Sequence, residues 1–272
     1  MTFASNNVDL GIRDLRQITS FLKEKHGLDY SDYALTALKR RVENFLRTKR
    51  ISVEELLRQL ASPTYIDHFA GSMAVAETEM FRDPTFWIQL KNNHIANFIK
   101  DHSKVKIWLP MCASGEEYFS LSILLKEAGW MDRAEVYLSS MSNESLDKIK
   151  QGCMDIEKLE ISTKNYSRFQ GTKNFTDYFK TSGNVVMFDK SLFQHTKFFK
   201  DGLDFSYEMP HLHIILFRNK FIYFNPTLQY KVTDALYNKL AVKGLLALGI
   251  LEAVEGKFAV INKNESIFQR KG

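Results

Sequence analysis

A short apolar strand that runs into a glycine turn and an acidic helix start is the part of this chain best suited to chemistry. Residues 105–120 read VKIWLPMCASGEEYFS, with Gly115 followed by Glu116 and Glu117. Strand–glycine turn–helix units bind nucleotide cofactors, because the helix N-terminus and bare backbone face the ligand. Here carboxylates stand where a phosphate would otherwise bind, which disfavours a phosphate ligand.

The two acidic residues favour a cofactor with a cationic end. The ammonium and sulfonium groups of S-adenosylmethionine can pair with a carboxylate, and Gly115 lets the backbone approach the ligand. An ordinary strand–turn–helix with a charged first turn has the same pattern. The motif alone therefore leaves both interpretations open.

Composition limits the classes of protein to which the chain can belong. With 272 residues, 44% of them hydrophobic, it can bury one sizeable core and a small second domain. No apolar run approaches the ~20 residues that cross a bilayer, and the N-terminus lacks the pattern of a secretory signal. The only cysteines, Cys112 and Cys153, are too few for a disulfide framework. These features predict a cytoplasmic protein, and the net charge of +5 favours an acidic partner without requiring nucleic acid.

The first 70 residues have the pattern of a small helical domain. Apolar residues recur there at helical spacing, strand-like alternation is absent, and capping residues mark the ends of three predicted helices. The supporting residues are Ile12, Leu15, Ile18 and Leu22 before Gly27 in the first helix, Ser31 with Leu35, Leu38, Val42 and Phe45 in the second, and Ser52, Glu55, Leu56, Leu57 and Leu60 before Ser62-Pro63 in the third.

From about residue 84, strands and helices alternate, which predicts a parallel sheet with helices on both faces. A Phe-, Tyr- and Asn-rich stretch at 165–198 breaks this alternation and is predicted to be an inserted β element. Ligands of such sheets bind beyond the carboxyl ends of the strands. The predicted strands are 105–109, 135–139, 212–217, 245–249, 257–262 and 266–269, and the predicted helices are one entered through Asp83-Pro84, then 116–128, 144–151 and 226–242.

Three motifs, in this order, resemble those of the CheR family, the S-adenosylmethionine-dependent methyltransferases that esterify glutamates of chemoreceptors. The resemblance covers essentially the whole chain. It implies an α/β Rossmann-like methyltransferase domain at 71–272 with a small inserted β-subdomain, after an N-terminal helical domain at 1–70. It also implies S-adenosylmethionine as cofactor, S-adenosylhomocysteine as product and a monomer that acts on a chemoreceptor or other helical signalling protein. The motifs are Thr78-Glu79-Met80-Phe81-Arg82, Ser114-Gly115-Glu116-Glu117 and Arg218-Asn219-Lys220-Phe221-Ile222-Tyr223-Phe224.

Several residues stand at functional positions of the family. Arg82 matches an arginine close to the transferred methyl group, and Glu117 matches the carboxylate that holds the methionine end of the cofactor. Tyr223 matches a tyrosine that faces the substrate glutamate. The resemblance thus implies catalytic roles for Arg82 and Tyr223, cofactor contacts from Thr78, Arg82, Gly115, Glu117, Ser140, Arg218 and Asn219, and no metal.

The cofactor site departs from the family pattern. Where the family has an acid that grips the ribose hydroxyls, this chain has Ser140, and Ser142 replaces a second acid. A serine offers only weaker, neutral hydrogen bonds. Further departures are Ala76 for an asparagine, Met80 for a phenylalanine, no recognisable Asn-Leu at 199–203, and Ile250-Leu251-Glu252 for His-Ser-Glu.

The matches and departures favour different functions. Arg82, Glu117 and Tyr223 favour O-methylation of glutamate side chains on a chemoreceptor-like helical protein. Ser140, Ala76 and Ile250 favour a CheR-like protein that binds a receptor or signalling partner without turnover. A methyltransferase that acts on a different protein is a third alternative.

A basic stretch on the second predicted helix is a candidate docking surface. Residues 39–50 contain six basic residues and one acid, Glu43. Arg40 and Arg47 lie opposite the apolar stripe, where they could bind an acidic helix. A solvated face has the same composition, so both interpretations stay open. The absence of interleaved aromatic residues argues against single-stranded nucleic acid.

Three weaker patterns have ordinary structural explanations beside a functional one. His211 and His213, two apart on a predicted strand, could bind a metal ion or be structural. Cys112 has no evident basic neighbour and is interpreted as a buried thiol, not a nucleophile. The Phe-rich segment 175–199 could bind a peptide along a strand edge or could pack beneath a hairpin.

Overall fold

The computed structural model describes residues 10–74 and 78–272. The front part is helical, as predicted. Gly27 ends the first helix with φ 68°, and the Ser52 side chain caps the third by accepting a 3.2 Å hydrogen bond from the Glu55 N–H. The helices are α1 (Ile12–His26), α2 (Leu35–Lys49), α3 (Val53–Gln59) and α4 (Pro63–Met73).

One predicted helix boundary in the front part is wrong. Ala34, not Ser31, precedes α2, because the Ser31 N–H and hydroxyl both donate to the Asp29 carboxylate in the preceding turn. As predicted, the third helix ends before Ser62-Pro63; a further helix, α4, then begins at Pro63, because proline suits the first helical position. The helical part therefore extends past residue 70.

The rest of the chain alternates between strands and helices, and each predicted strand and helix of the main sheet is present. The strand predicted at 245–249 begins earlier, at Leu240, directly after the preceding helix. In order, the elements are α5 (Pro84–Gln89), a π-helical turn (Leu90–Ile95), α6 (Ala96–Asp101), β1 (Val105–Leu109), α7 (Glu116–Glu127), β2 (Ala134–Ser140), α8 (Asn143–Gln151), β3 (Cys153–Asp155), α9 (Leu159–Phe169), β4 (Phe179–Ser182), β5 (Val185–Phe188), β6 (Thr196–Lys200), β7 (Leu212–Leu216), α10 (Pro226–Lys239), β8 (Leu240–Ala247), β9 (Phe258–Asn262) and β10 (Ile267–Arg270).

The main sheet has seven strands in the order β6-β2-β1-β7-β8-β10-β9. The first five are parallel, and β10 is antiparallel to both of its neighbours. The chain runs outward from β1 to β2 and β6, then returns to β7 on the other side of β1. This reversal is the switch point at which Rossmann-like sheets bind ligands. The predicted Rossmann-like fold is confirmed.

The inserted β element differs in extent from the prediction of 165–198. It is a three-stranded antiparallel sheet in the order β3-β5-β4, so it begins at Cys153. The strand β6 belongs instead to the main sheet, parallel to β2. Its sequence TKFFK lacks the continuous apolar run of a buried parallel strand because it lies at the sheet edge, where side chains meet solvent.

Two apolar layers cover the faces of the main sheet. Trp108, Tyr137 and Ile215 pack in one layer with α10 and with the front helices, whereas Ile107 and Leu138 pack in the other with α5, α7, α8 and α9. The front helices thus share a core with the sheet. The division at residue 70 stays an interpretation.

Candidate functional site

The turn between β1 and α7 depends on a glycine. Gly115 precedes α7 with φ 90°, and a Cβ atom there would lie 2.9 Å from Cζ of Phe119. A side chain would be strained by this φ and would collide with the ring. The turn lies at the carboxyl end of β1, beside the switch point, where the sheet topology predicts the ligand.

The two glutamates after Gly115 take different roles. Glu116 is 1% exposed and accepts hydrogen bonds from the hydroxyls of Thr78 and Ser114 and, at 2.6 Å, from Nζ of Lys158. Glu116 therefore connects Thr78, the first residue of the Thr78–Arg82 motif, to the turn. Glu117 instead faces a small pocket, where its carboxylate lies 3.7 Å from Nη1 of Arg218 and 3.7 Å from Nζ of Lys220.

This pocket gathers part of the predicted cofactor site. Thr78, Gly115, Glu117 and Arg218, which the motifs predict as cofactor contacts, line it, and their contact with the cofactor stays a prediction. The sequence reasoning missed Lys220, although its place between Asn219 and the Ile-Tyr-Phe end of the motif was a signal. The remaining lining residues are Met111, Cys112, Ala113 and Ser114.

Arg218 joins the loop after β7 to the start of α5. Its buried guanidinium donates to the Asp83 carboxylate at 2.6 Å and to the Arg82 carbonyl at 3.3 Å, and it lies 4.0 Å from the ring centroid of Phe86. Burial lowers the pKa of Arg218 from its ordinary value, which the acids Glu117 and Asp83 oppose. Arg82 is therefore held beside the pocket through its backbone, but its side chain is outside the lining formed by the described residues.

Asn219 contacts other residues of the loop region after β7 and is not among the described residues that line the pocket. With φ 57°, it donates its N–H to the buried Glu252 carboxylate at 2.8 Å, and its amide oxygen lies against Gly249. Glu252 also accepts from the N–H groups of Gly249 at 2.7 Å and Ile222 at 3.3 Å. Glu252 thus shapes the loop that carries Arg218 and Lys220.

The serines that replace the family's acids are engaged elsewhere. Ser140, fully buried at the end of β2, accepts a 3.4 Å hydrogen bond from the Ser142 N–H. Ser142 caps α8 and donates to Asp67 of α4 at 3.0 Å. The described residues around the pocket do not include Ser140, and the predicted departure at Ala76 lies outside the described residues.

Tyr223 lies in a second cleft, between α2 and the loop after β7. The Arg41 guanidinium lies 4.6 Å from its ring centroid, and the Tyr223 carbonyl accepts a 2.8 Å hydrogen bond from the Ala34 N–H. Arg40 lines this cleft, whereas Arg47 is exposed and donates to Asn44. None of the described lining residues is acidic: Ala37, Arg40, Arg41, Asn44, Phe45, Thr48, Lys49, His68, Ser72, Ala74, Ile222 and Tyr223.

The weaker sequence patterns have structural explanations. His213 packs against His102 with ring centroids 4.3 Å apart and accepts the Lys106 N–H through Nδ1, while His211 is exposed. Burial lowers the pKa of His213 to about 4. Within the described ranges no three His, Cys, Asp or Glu side chains are grouped to hold a metal. Burial raises the pKa of Cys112 to about 12, so its thiol stays protonated.

The sheet is Rossmann-like, and the Glu117 carboxylate lies beside its switch point. This combination is typical of enzymes that bind a nucleotide cofactor with a cationic end. Residues 76–267 match the family described as CheR methyltransferase, SAM binding domain. The chain therefore belongs to the CheR methyltransferase family, as its motifs predicted. It is a methyltransferase whose cofactor is S-adenosylmethionine.

Curated relatives match along nearly the whole chain. The putative methyltransferase Cher3 of Pseudomonas putida is 26% identical over 98% of this chain and 99% of that protein. A chemotaxis protein methyltransferase of Listeria innocua is 22% identical over 89% of this chain and 90% of that protein. Among solved structures, the N-methyltransferase NodS of Bradyrhizobium japonicum WM9, in complex with S-adenosylhomocysteine, matches 72% of this chain and 70% of that chain with 10% identity and a TM-score of 0.35.

The residues present fit the cofactor at its amino-acid end. Glu117 offers a carboxylate to an ammonium group, and the turn at Gly115 leaves the backbone open to a ligand. Ser140, which was predicted to contact the ribose, has no carboxylate. Of the helices that the structure describes, none is long and apolar enough to span a membrane.

Proposed function

We propose that this methyltransferase esterifies glutamate side chains on an acidic, helical, chemoreceptor-like protein. The observation that carries the proposal is the loop after β7, which serves two sites. Arg218 and Lys220 line the cofactor pocket, and Tyr223, in the same loop, lines the basic cleft against α2. A substrate side chain in the cleft would therefore approach the pocket at Tyr223.

The chemistry requires positioning and no strong base. The bound cofactor supplies an electrophilic methyl group, and a glutamate side chain is already ionised at neutral pH. The protein must align the carboxylate oxygen with the methyl group and exclude water. Arg82, fixed beside Arg218, is proposed to hold the carboxylate, and Tyr223 is proposed to orient it.

The cleft also supports an acidic partner. Arg40, Arg41 and Lys49 line it, and its described lining has no acidic residue to oppose them. A basic surface of this kind attracts an acidic helix more strongly than a surface that carries both acidic and basic residues. The name of the Listeria relative, chemotaxis protein methyltransferase, agrees with a receptor as that partner.

Methyl transfer is tested by incorporation of tritiated methyl into a receptor fragment, with S-adenosylhomocysteine affinity measured alongside. Arg82→Ala should lower incorporation roughly 100-fold, because a positioning charge is lost. Tyr223→Phe should lower it less, since it removes one neutral hydrogen bond. Affinity for S-adenosylhomocysteine should fall less than turnover in both variants. Equal rates for the wild type and Arg82→Ala would remove Arg82 from the mechanism.

Docking is tested with two charge reversals on one helix. Arg40→Glu should weaken association with the receptor fragment, and more so at low salt, because exposed charges are screened within about 10 Å at 0.1 M. Arg47→Glu is the matched comparison, since Arg47 is exposed on α2 outside the cleft. An effect of Arg47→Glu as large as that of Arg40→Glu would extend the docking surface to the whole basic face. No effect of either reversal would reject docking through α2.

A partner-binding role without turnover is the second candidate function. The buried Ser140, whose hydroxyl is engaged by the Ser142 N–H, favours it, because no acid is available at that position for the ribose. This candidate predicts salt-sensitive receptor association with no binding of S-adenosylhomocysteine at millimolar concentration. Methyl incorporation into the receptor fragment by the wild-type protein would exclude it.

A further inference from the structure

Lys220 is a buried cation whose hydrogen-bonding capacity is largely unused. It is 6% exposed and lines the cofactor pocket. Among the described residues, Nζ makes one hydrogen bond, to the Arg218 carbonyl at 3.4 Å, although an ammonium group has three donors. Because a buried charge is costly without partners, this arrangement favours a further partner of negative charge.

The two neighbouring charges differ in how far they are already committed. Arg218 is held by Asp83 at 2.6 Å and by the Arg82 carbonyl. Lys220 and Glu117 lie 3.7 Å apart, beyond a direct hydrogen bond, with both side chains at the pocket wall. The pocket therefore presents an ion pair, Lys220 with Glu117, whose two members face it without a direct hydrogen bond between them.

A ligand with opposite charges on neighbouring groups satisfies both residues. An α-amino acid carries an ammonium and a carboxylate on one carbon atom, and the methionine end of S-adenosylmethionine is such a group. We propose that Lys220 binds the α-carboxylate of the cofactor while Glu117 binds its ammonium group. Lys220 is then a specificity-determining residue that distinguishes cofactors with a carboxylate from analogues without one. The inference rests on the proposed function only through the cofactor, and makes no assumption about the methyl acceptor.

The test is calorimetric titration of the full chain and its Lys220→Met and Lys220→Arg variants. Three ligands are compared: S-adenosylhomocysteine, its decarboxylated analogue, and 5′-methylthioadenosine, which lacks the amino-acid end. Lys220→Met should weaken S-adenosylhomocysteine binding about tenfold or more and leave the other two ligands unchanged, because only the first offers a carboxylate. Lys220→Arg should retain most of the affinity.

Control measurements separate this role from others. Lys197→Met removes a lysine from an exposed ion pair with Glu135 and should change no affinity. Tighter binding of S-adenosylhomocysteine by Lys220→Met would overturn the proposal, since Lys220 would then compete with the ligand for Glu117. Equal losses for all three ligands would show a structural role. If the folded wild type binds none of them and Lys220→Met does not either, the proposed methyl-transfer function itself fails.

Discussion

At the scale of single residues, the site is governed by which charged groups find fixed partners. The Glu116 carboxylate accepts hydrogen bonds from Thr78, Ser114 and Lys158. The neighbouring Glu117 is therefore the carboxylate that can bind a ligand. A buried charged side chain with a full set of partners holds neighbouring segments in place. A buried charged side chain with incomplete partners favours the binding of a ligand that supplies them.

Ser140→Asp should lower the stability of the free protein by about 2 kcal/mol, because it buries a carboxylate without a partner. If position 140 serves the ribose, S-adenosylhomocysteine will raise the melting temperature of this variant more than that of the wild type, since ribose hydroxyls provide the missing partners. Ser140→Ala is the control and should show the wild-type shift. An equal shift in all three proteins would separate position 140 from the ribose.

At the scale of elements, the glycines before and after α7 differ in how closely they are packed. Gly115 precedes the helix with φ 90° and lies against Phe119 and Ile149. Gly129 follows it with φ 69° and no atom within 4 Å of a Cβ placed there. Only the first glycine combines the left-handed conformation with a close approach.

Gly115→Ala should destabilise the protein by about 3 kcal/mol, because it adds a steric collision to the strain of a positive φ. Gly129→Ala is the matched variant and should cost only about 1 kcal/mol, from the backbone conformation alone. Urea unfolding gives both values. S-adenosylhomocysteine affinity should fall in Gly115→Ala alone. Equal losses of stability in the two variants would contradict the importance of the contact with Phe119.

At the scale of the whole molecule, one carboxylate joins the front helices to the sheet. Asp67 of α4 accepts hydrogen bonds at 3.0 Å from the Ser142 hydroxyl and from the N–H groups of Asn143 and Glu144 at the start of α8, and one at 2.7 Å from Lys200. Burial raises the pKa of Asp67, but these hydrogen bonds outweigh it and lower the value to about 2. This contact adds to the apolar layer that the two parts share.

The low pKa of Asp67 predicts acid sensitivity. Because the folded-state pKa is below the ordinary 3.8, the contribution is present above about pH 4 and is lost as the pH falls towards 2. Its size is about 2 kcal/mol. In urea unfolding, Asp67→Asn should be less stable than the wild type at pH 7, with a smaller difference at pH 3. Asp132→Asn, at an exposed ion pair with His195, should match the wild type throughout. A pH-independent difference for Asp67→Asn would contradict the role of its charge.

The sequence by itself determined the family, the order of the elements and the place of the glycine turn after β1. Local patterns suffice for these features: an apolar run before Gly115 and two glutamates after it, helical periodicity around Leu15 and Leu38, and glycine at position 27. Each depends on residues close together in the chain. Where neighbouring residues competed locally, as at Ser31, the helix boundary differed from the prediction.

Only the tertiary structure decided which side chains form the site. The resemblance had pointed to Glu117, but the physical difference between the two glutamates comes from Lys158, distant in sequence, which binds Glu116. Burial of Lys220 beside Glu117, and the placement of Arg40 but not Arg47 in the cleft with Tyr223, likewise depend on loops that meet across the sheet. Periodicity states which face of an element a residue occupies, but charge partners and burial come from whichever distant element packs against that face.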